Sequence, residues 1–425
     1  MRMKFNKPSQ LALVAAGSLL VATMLTACET LTVDFVFVTS AKAAGTNNYG
    51  VIDVFEINSE SGQMRQIPTS PFPSGGRNPV AEAVSSDNTN LFVVNRDDNT
   101  IEQFLIGNDG KVYPQNTTNT PGIFPMAVAV AGTNLFVVDT YQPLPTCSPA
   151  APCSGSVGVF TISAPNISNI GTKGAETLAP TPIANGNLDY WPLILPSSPG
   201  DVIVPTAINA LKSGDFIYVS GYDSSVTPNV GYIFGFAVGS GGVLTPVNGG
   251  TPFVAGTLQS GTLPSGMASD ASSSYLYVTD SANSKVLGYT IAASGSLTPL
   301  SGSPYQAGGG PSSVVVDPTY SYVYVANAQD SSVTEYSMSN GELTSIGTES
   351  TGLQPIAIGL DPSTNRFLYT VNFLGSSING TISGFELNTT TGSLLVSKDS
   401  PYNSDALPTA VAAIPHKGTG AGIAK

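Results

Sequence analysis

The chain has 425 residues, only 10% of them charged, with 45 Gly, 32 Pro and an apolar share of 41%. This composition excludes wholesale disorder, because there is enough apolar surface for a core, and it leaves little room for long helices, which Gly and Pro interrupt. Fifteen basic against 28 acidic residues give a net charge of −13. Such a surface repels nucleic acid, which is therefore not expected as a partner.

In chain order, residues 1–27 read as a signal peptide. Arg2, Lys4 and Lys7 form a basic start, followed by the apolar run LALVAAGSLLVATML, short for a membrane span. The run ends in LTAC at residues 25–28, which resembles the lipobox of bacterial lipoproteins, where cleavage precedes a Cys that receives lipid. The resemblance implies lipidation of Cys28, a membrane partner through that lipid and, because Glu29 follows, the outer membrane of a Gram-negative envelope. The alternative is an ordinary secretory signal with Cys28 incidental. Cleavage before Cys28 would leave 12 basic and 28 acidic residues, a net charge of −16, with residues 28–33 as a short tether.

From residue 34 onward one phrase recurs. Seven Pro anchors, Pro79, Pro125, Pro205, Pro264, Pro311, Pro355 and Pro408, each precede a short run of small or apolar residues such as VAEAV or SSVVV. Second strands follow in LFVVN, LFVVD, FIYVSG, YLYVTD, YVYVAN and FLYTVN, with an unaccompanied DFVFVTS near the start. Third strands include TIEQFLI, SVGVFTI and TISGFEL; a fourth is weaker, often of the form GxLTP. Alternation at period two marks these as strands. The anchors lie 46, 80, 59, 47, 44 and 53 residues apart, room for four strands and their turns in each interval. The expected fold is all-β, a seven-bladed β-propeller of four-stranded antiparallel blades over residues 34–414. A C-terminal strand, PTAVAAI, would complete the N-terminal blade and so remove the open sheet edges. The 80-residue interval implies an insertion at about 140–204, and residues 415–425 read as a flexible tail.

The strands YVYVAN and YLYVTD, followed by LTPLSGSPY, resemble the Tyr-Val-Thr-Asn-type repeats of bacterial propellers. They resemble equally the lactonase-type propellers, relatives of 6-phosphogluconolactonase. That resemblance spans roughly residues 34–414 and implies the fold more than an activity, since its motifs are strand and turn residues.

Cys147 and Cys153 sit in the loop TCSPAAPCSG. In an oxidising envelope two Cys this close are expected to form a disulfide; a zinc site has no further Cys or His nearby, and no metal is expected. Ligands of propellers usually bind on the face shared by the loops before each Pro and the loops between second and third strands. Ser40, Asn95, Asp139, Gly221, Asp280, Asn327 and Asn372 end the second strands there, as a ligand-binding ring or simply as residues that suit turns. Three residues after the anchors come Glu82, Val128, Ile208, Met267, Val314, Ile358 and Val411. A lone carboxylate in an apolar column calls for a partner or a raised pKa. Arg77 and Arg96, beside Asp97, are the nearest arginines in sequence. Together with Glu82 they could hold an anionic or hydroxylated ligand, or Glu82 could act as an acid–base catalyst; a structural ion pair is the alternative. Tyr141, Tyr190, Trp191 and Tyr222 fall in rim loops or in the insertion, where they could stack on a sugar or pack the loop down. The only His is His416, so Ser–His or Cys–His catalysis has no base. No cofactor motif is present. The expectation is a monomeric binding scaffold for a protein or glycan of the envelope, with lactone hydrolysis as the alternative.

Overall fold

Each anchor-bearing segment forms the innermost strand of a blade. The computed structural model describes residues 32–44, 47–163, 177–181, 189–256, 261–375, 379–404 and 407–416. The segment expected to be a signal peptide, Cys28, most of the expected tether, parts of the insertion and the end of the expected tail lie outside the described residues.

Seven antiparallel sheets are present. Blade 2 runs outward through Pro79–Val84, Asn90–Asn95, Thr100–Ile106 and Val112–Asn119, and blade 6 through Pro311–Val316, Tyr322–Asn327, Ser332–Ser339 and Glu342–Ser350. The other five have an outer strand broken into two short pieces, both paired to the third strand. In blade 3 these are Thr177–Pro180 and Tyr190–Pro192, outside Ile123–Ala131, Asn134–Tyr141 and Ser156–Ser163. Blade 1 closes the ring. Its innermost strand is the C-terminal Pro408–Pro415, paired antiparallel to Thr32–Ala44 with Phe35 opposite Ile414 and Val38 opposite Val411.

Packing between blades explains the columns of the sequence. The residues three after each anchor reach back into the preceding blade: Val128 packs on Phe92 and Val94, Val314 on Tyr277 and Val286, Ile358 on Tyr324, and Val411 on Tyr369 and Val371. The second strands supply the bulk, with Phe37, Phe92, Phe136, Tyr218, Tyr277, Tyr324 and Tyr369 all buried at one equivalent position. Burial of a side chain of that size is worth about 1.5–3 kcal/mol. The four tyrosines also account for the recurring Tyr of the motif. Tyr218, Tyr277, Tyr324 and Tyr369 donate to the carbonyls of Gly295, Gly341, Gly392 and Gly62, at 2.8, 2.7, 2.8 and 3.1 Å. Each acceptor is a left-handed turn residue of the next blade, with φ between 62° and 82°, which Gly adopts without steric cost. The hydroxyl is thus satisfied while its ring fills the interface.

The insertion of blade 3 divides. One part is the loop between the second and third strands, where Cys147 and Cys153 are joined by a disulfide. Another follows Tyr190–Pro192 and buries Leu193 and Leu195 in the core between blades 3 and 4, with the Trp191 ring 5.7 Å from that of Phe236. Trp191 therefore serves in packing the insertion down.

Candidate functional site

On the loop face, blades 2 and 6 have one backbone frame. In blade 2 the N–H of Arg77 donates to Asp98, 2.7 Å away; in blade 6 the N–H of Gly309 donates to Asp330. Arg96 N–H reaches the Asn78 carbonyl at 3.0 Å, as Ala328 N–H reaches Gly310 at 2.9 Å. Asp97 N–H lies 3.4 Å from the Arg77 carbonyl, and Gln329 N–H 3.1 Å from that of Gly309. Left-handed residues close both turns, Asn99 at φ 55° and Ser331 at φ 51°. The frame therefore forms with Gly, Ala and Gln in one blade and with Arg77, Arg96 and Asp97 in the other. Nothing in its hydrogen bonding requires the arginines.

What those arginines do differs. Arg77 is half-exposed, pairs with Asp98 at 2.5 Å and donates to the Asp97 carbonyl at 3.1 Å. Arg65 pairs with Glu56, and Arg366 with Glu386. Among the described arginines only Arg96 makes no ion pair. Its guanidinium lies 5.1 Å above the ring of Phe124, within cation–π range, and the Phe124 ring is 6.2 Å from that of Tyr141. The side chain of Arg96 is exposed, so its N–H donors face solvent.

Phe124 is held there by its backbone. It has φ 56°, rare for a bulky residue, its N–H donates to Asn99 Oδ1 at 2.7 Å, and its carbonyl accepts from Thr140 Oγ1 at 2.7 Å. Strain of this kind costs on the order of 1–3 kcal/mol and persists where the surroundings over-determine it. The conformation belongs to the position, since Asn78, Gly310, Gln354 and Leu407, also directly before their Pro anchors, have φ between 45° and 58°; what is particular to blade 3 is a large ring there, where the other blades place Asn78, Val204, Leu263, Gly310, Gln354 and Leu407.

The polar ring at the second-strand ends turns inward. Asn95, Asp139, Asp280, Asn327, Asn372 and Ser40 are all buried. Asp139 accepts from Gly122 N–H at 3.0 Å and Asp280 from Leu263 N–H at 3.0 Å. Asn327 donates to Ser332 and Thr334, Asn372 to Thr381 and Ser383, and Asn95 weakly to the Ser74 carbonyl at 3.4 Å. These residues tie the entering loop or the third strand to the blade. Burial pushes the Asp139 carboxyl up to about 7 against the pull of Gly122 and Thr120. Asp97 accepts from the Asn78 amide at 3.3 Å, and Tyr222 lies half-buried in blade 4 opposite Val204.

Glu82 is not brought to either arginine: among the described residues no cation lies within ion-pair distance of it. It sits opposite Val93 in the innermost strand of blade 2. Both carboxylate oxygens are shut from solvent and make no hydrogen bond of ordinary geometry, although the residue as a whole is partly exposed. Burial raises its pKa to about 8, and the backbone of Ala412 alone pulls the other way. At neutral pH Glu82 is mostly protonated. No group of three or more potential metal ligands occurs among the described residues.

No protein-family model matches the chain, and no curated protein does. Solved structures do. A candidate 6-phosphogluconolactonase from Bacteroides fragilis is 17% identical with a TM-score of 0.65, the match covering 90% of this chain and 98% of that one. A second, from Bacteroides uniformis, is 15% identical with a TM-score of 0.66, covering 90% and 100%. The periplasmic gluconolactonase of Pseudomonas aeruginosa is 14% identical with a TM-score of 0.66, covering 90% and 99%. At such identities the likeness is one of fold, that of a lactonase-type propeller.

Proposed function

We propose that this chain is an envelope propeller, anchored by lipid on Cys28, that binds an anionic, hydroxylated ligand of the sugar-acid class on its loop face between blades 2 and 3. Arg96 receives the anion, and the Tyr141 ring, tilted 52° to that of Phe124 beneath Arg96, offers an apolar edge to the ligand's carbon chain. The observation that carries this reading is Arg96 itself. It is an exposed guanidinium without an ionic partner, stacked on a strained Phe, on a frame that blade 6 builds with Ala328. Arg is suited to the task because its planar fork meets a carboxylate through two parallel hydrogen bonds. The names of the fold neighbours supply the probes. Titration of the purified protein with D-gluconate should show saturable binding that R96A weakens roughly tenfold to a hundredfold, the worth of a charged hydrogen bond. Unchanged affinity in R96A would refute the site. Substitution of Cys28 by Ser should move the protein from the membrane fraction to the soluble envelope fraction; retention in the membrane would refute the anchor.

Lactone hydrolysis is the second reading, favoured by the fold shared with a periplasmic gluconolactonase. Glu82 as its base would have to lose its proton near pH 8 and gain access to water. Hydrolysis of glucono-1,5-lactone above the spontaneous rate, abolished in E82Q, would support it. Hydrolysis that E82Q leaves intact would exclude Glu82 as the base.

A further inference from the structure

We propose that Glu82 is a proton-controlled latch on the closure of the ring. Six of the seven blades plug the interface behind them with an apolar side chain, and the seventh does so with Glu82. That interface is not an arbitrary one. It is the seam between blade 2 and blade 1, and Glu82 meets it at the backbone of Ala412, in the strand Pro408–Pro415 that closes the propeller. Around it the seam is apolar: Phe35, Phe37, Val93, Phe104 and Ile414 are buried there, with Val84 and Ala412 packed on them. At the loop-face end, Thr409 Oγ1 donates to the Pro79 carbonyl at 2.8 Å.

A neutral carboxyl is tolerable in such a place, whereas an ionised one without a partner is not. Among the described side chains nothing nearby offsets the charge. Of the strands packed against Pro79–Val84, the segments Asn90–Asn95, Ile123–Ala131 and Pro408–Pro415 carry no charged side chain. On Thr32–Ala44, Asp34 is the charged group with a described side chain. It accepts a hydrogen bond from Ser363 and faces Asp361 in blade 7, on the opposite side of blade 1, and its own pKa is raised by burial to about 7. Blade 6 shows that the position does not need an acid, since Val314 fills it.

The sign follows from linkage. Opening the seam returns Glu82 to water, where it titrates near 4.5, against about 8 when closed. Between those values the closed state holds a proton that the open state has released, so each rise in pH favours opening. The opening equilibrium should grow by up to about tenfold per pH unit across this window and level off above pH 8. The ring is tightest in mild acid and loosest in mild alkali.

Hydrogen exchange of the closing strand tests this. Protection of residues 408–415, corrected for the intrinsic pH dependence of exchange, should fall by at least tenfold between pH 6 and pH 8 in the parent protein. It should fall far less in E82V, which copies blade 6, and in E82Q, which keeps the shape without the charge. The strand Pro311–Val316 serves as internal control, since Asp34 and Asp139 titrate in all three proteins. Protection of residues 408–415 that does not change with pH, or that falls equally in the two variants, would overturn the latch.

Discussion

Blade 2 and blade 6 both have an unbroken outer strand, and their loop faces are built by the same backbone hydrogen bonds. Where blade 6 places Gly309, Ala328 and Val314, blade 2 places Arg77, Arg96 and Glu82. Blade 6 thereby acts as a control within one molecule. It shows what the architecture alone asks of each position, namely room, a left-handed turn residue and an apolar plug. Whatever blade 2 adds goes beyond that requirement. Natural sequences depart from local consistency mainly at sites of function, and here three departures fall in one blade.

The comparison can be broken by exchanging residues between the two blades. The largest effect is expected for V314E, which puts an unpartnered carboxyl into an interface that has never accommodated one. It should cost roughly 3 kcal/mol or more at pH 8, measured by denaturant unfolding, and less at pH 5 where the acid is neutral. The reverse change, E82V, should stabilise the protein, with more gain at pH 8 than at pH 5. Next comes R96A, expected to lose about 1.5–3 kcal/mol of gluconate binding in calorimetry while leaving the melting temperature unchanged. A328R should create no binding, because Gln354 rather than an aromatic ring precedes the Pro355 anchor of the following blade. F124Q, which copies that position, should weaken gluconate binding by about 0.5–1 kcal/mol through loss of the stacking surface. The smallest effect is expected for R77G. The Arg77 pair is solvent-screened, so its loss should leave the unfolding midpoint almost unmoved, and Asp98 would keep its bond to the backbone N–H as Asp330 does.

The columns of the sequence made seven blades and their closure legible, because small residues after each anchor and large ones in the second strand are dictated by how wedges pack around an axis. The outer strands were hardly legible. In five blades they are pieces of two to four residues such as Phe72–Pro73 and Tyr305–Gln306, too short for any alternation to show. Asn327 and Asn372 could be placed on the rim from sequence, but not their role. Only coordinates reveal that their amides turn inward to the hydroxyls of the third strand. Glu82 stood out as an exception in its column, and its burial and raised pKa followed from that. The grouping with Arg77 and Arg96 did not follow, since sequence proximity says nothing about which side of a strand faces which blade. Phe124 was invisible for a backbone reason. Its left-handed conformation is shared with Asn78, Gly310, Gln354 and Leu407 at the same place before their anchors, but that this conformation sets the ring beside Arg96 shows only in the fold.

On this reading blades 2 and 3, and not the rest of the ring, hold the ligand. The most direct measurement is a crystal structure of the protein soaked with D-gluconate. The carboxylate should lie within hydrogen-bond distance of the Arg96 guanidinium, with the carbon chain against Tyr141 and the edge of Phe124. Gluconate bound instead over blade 6, deep in the central channel, or nowhere on the loop face, would contradict it.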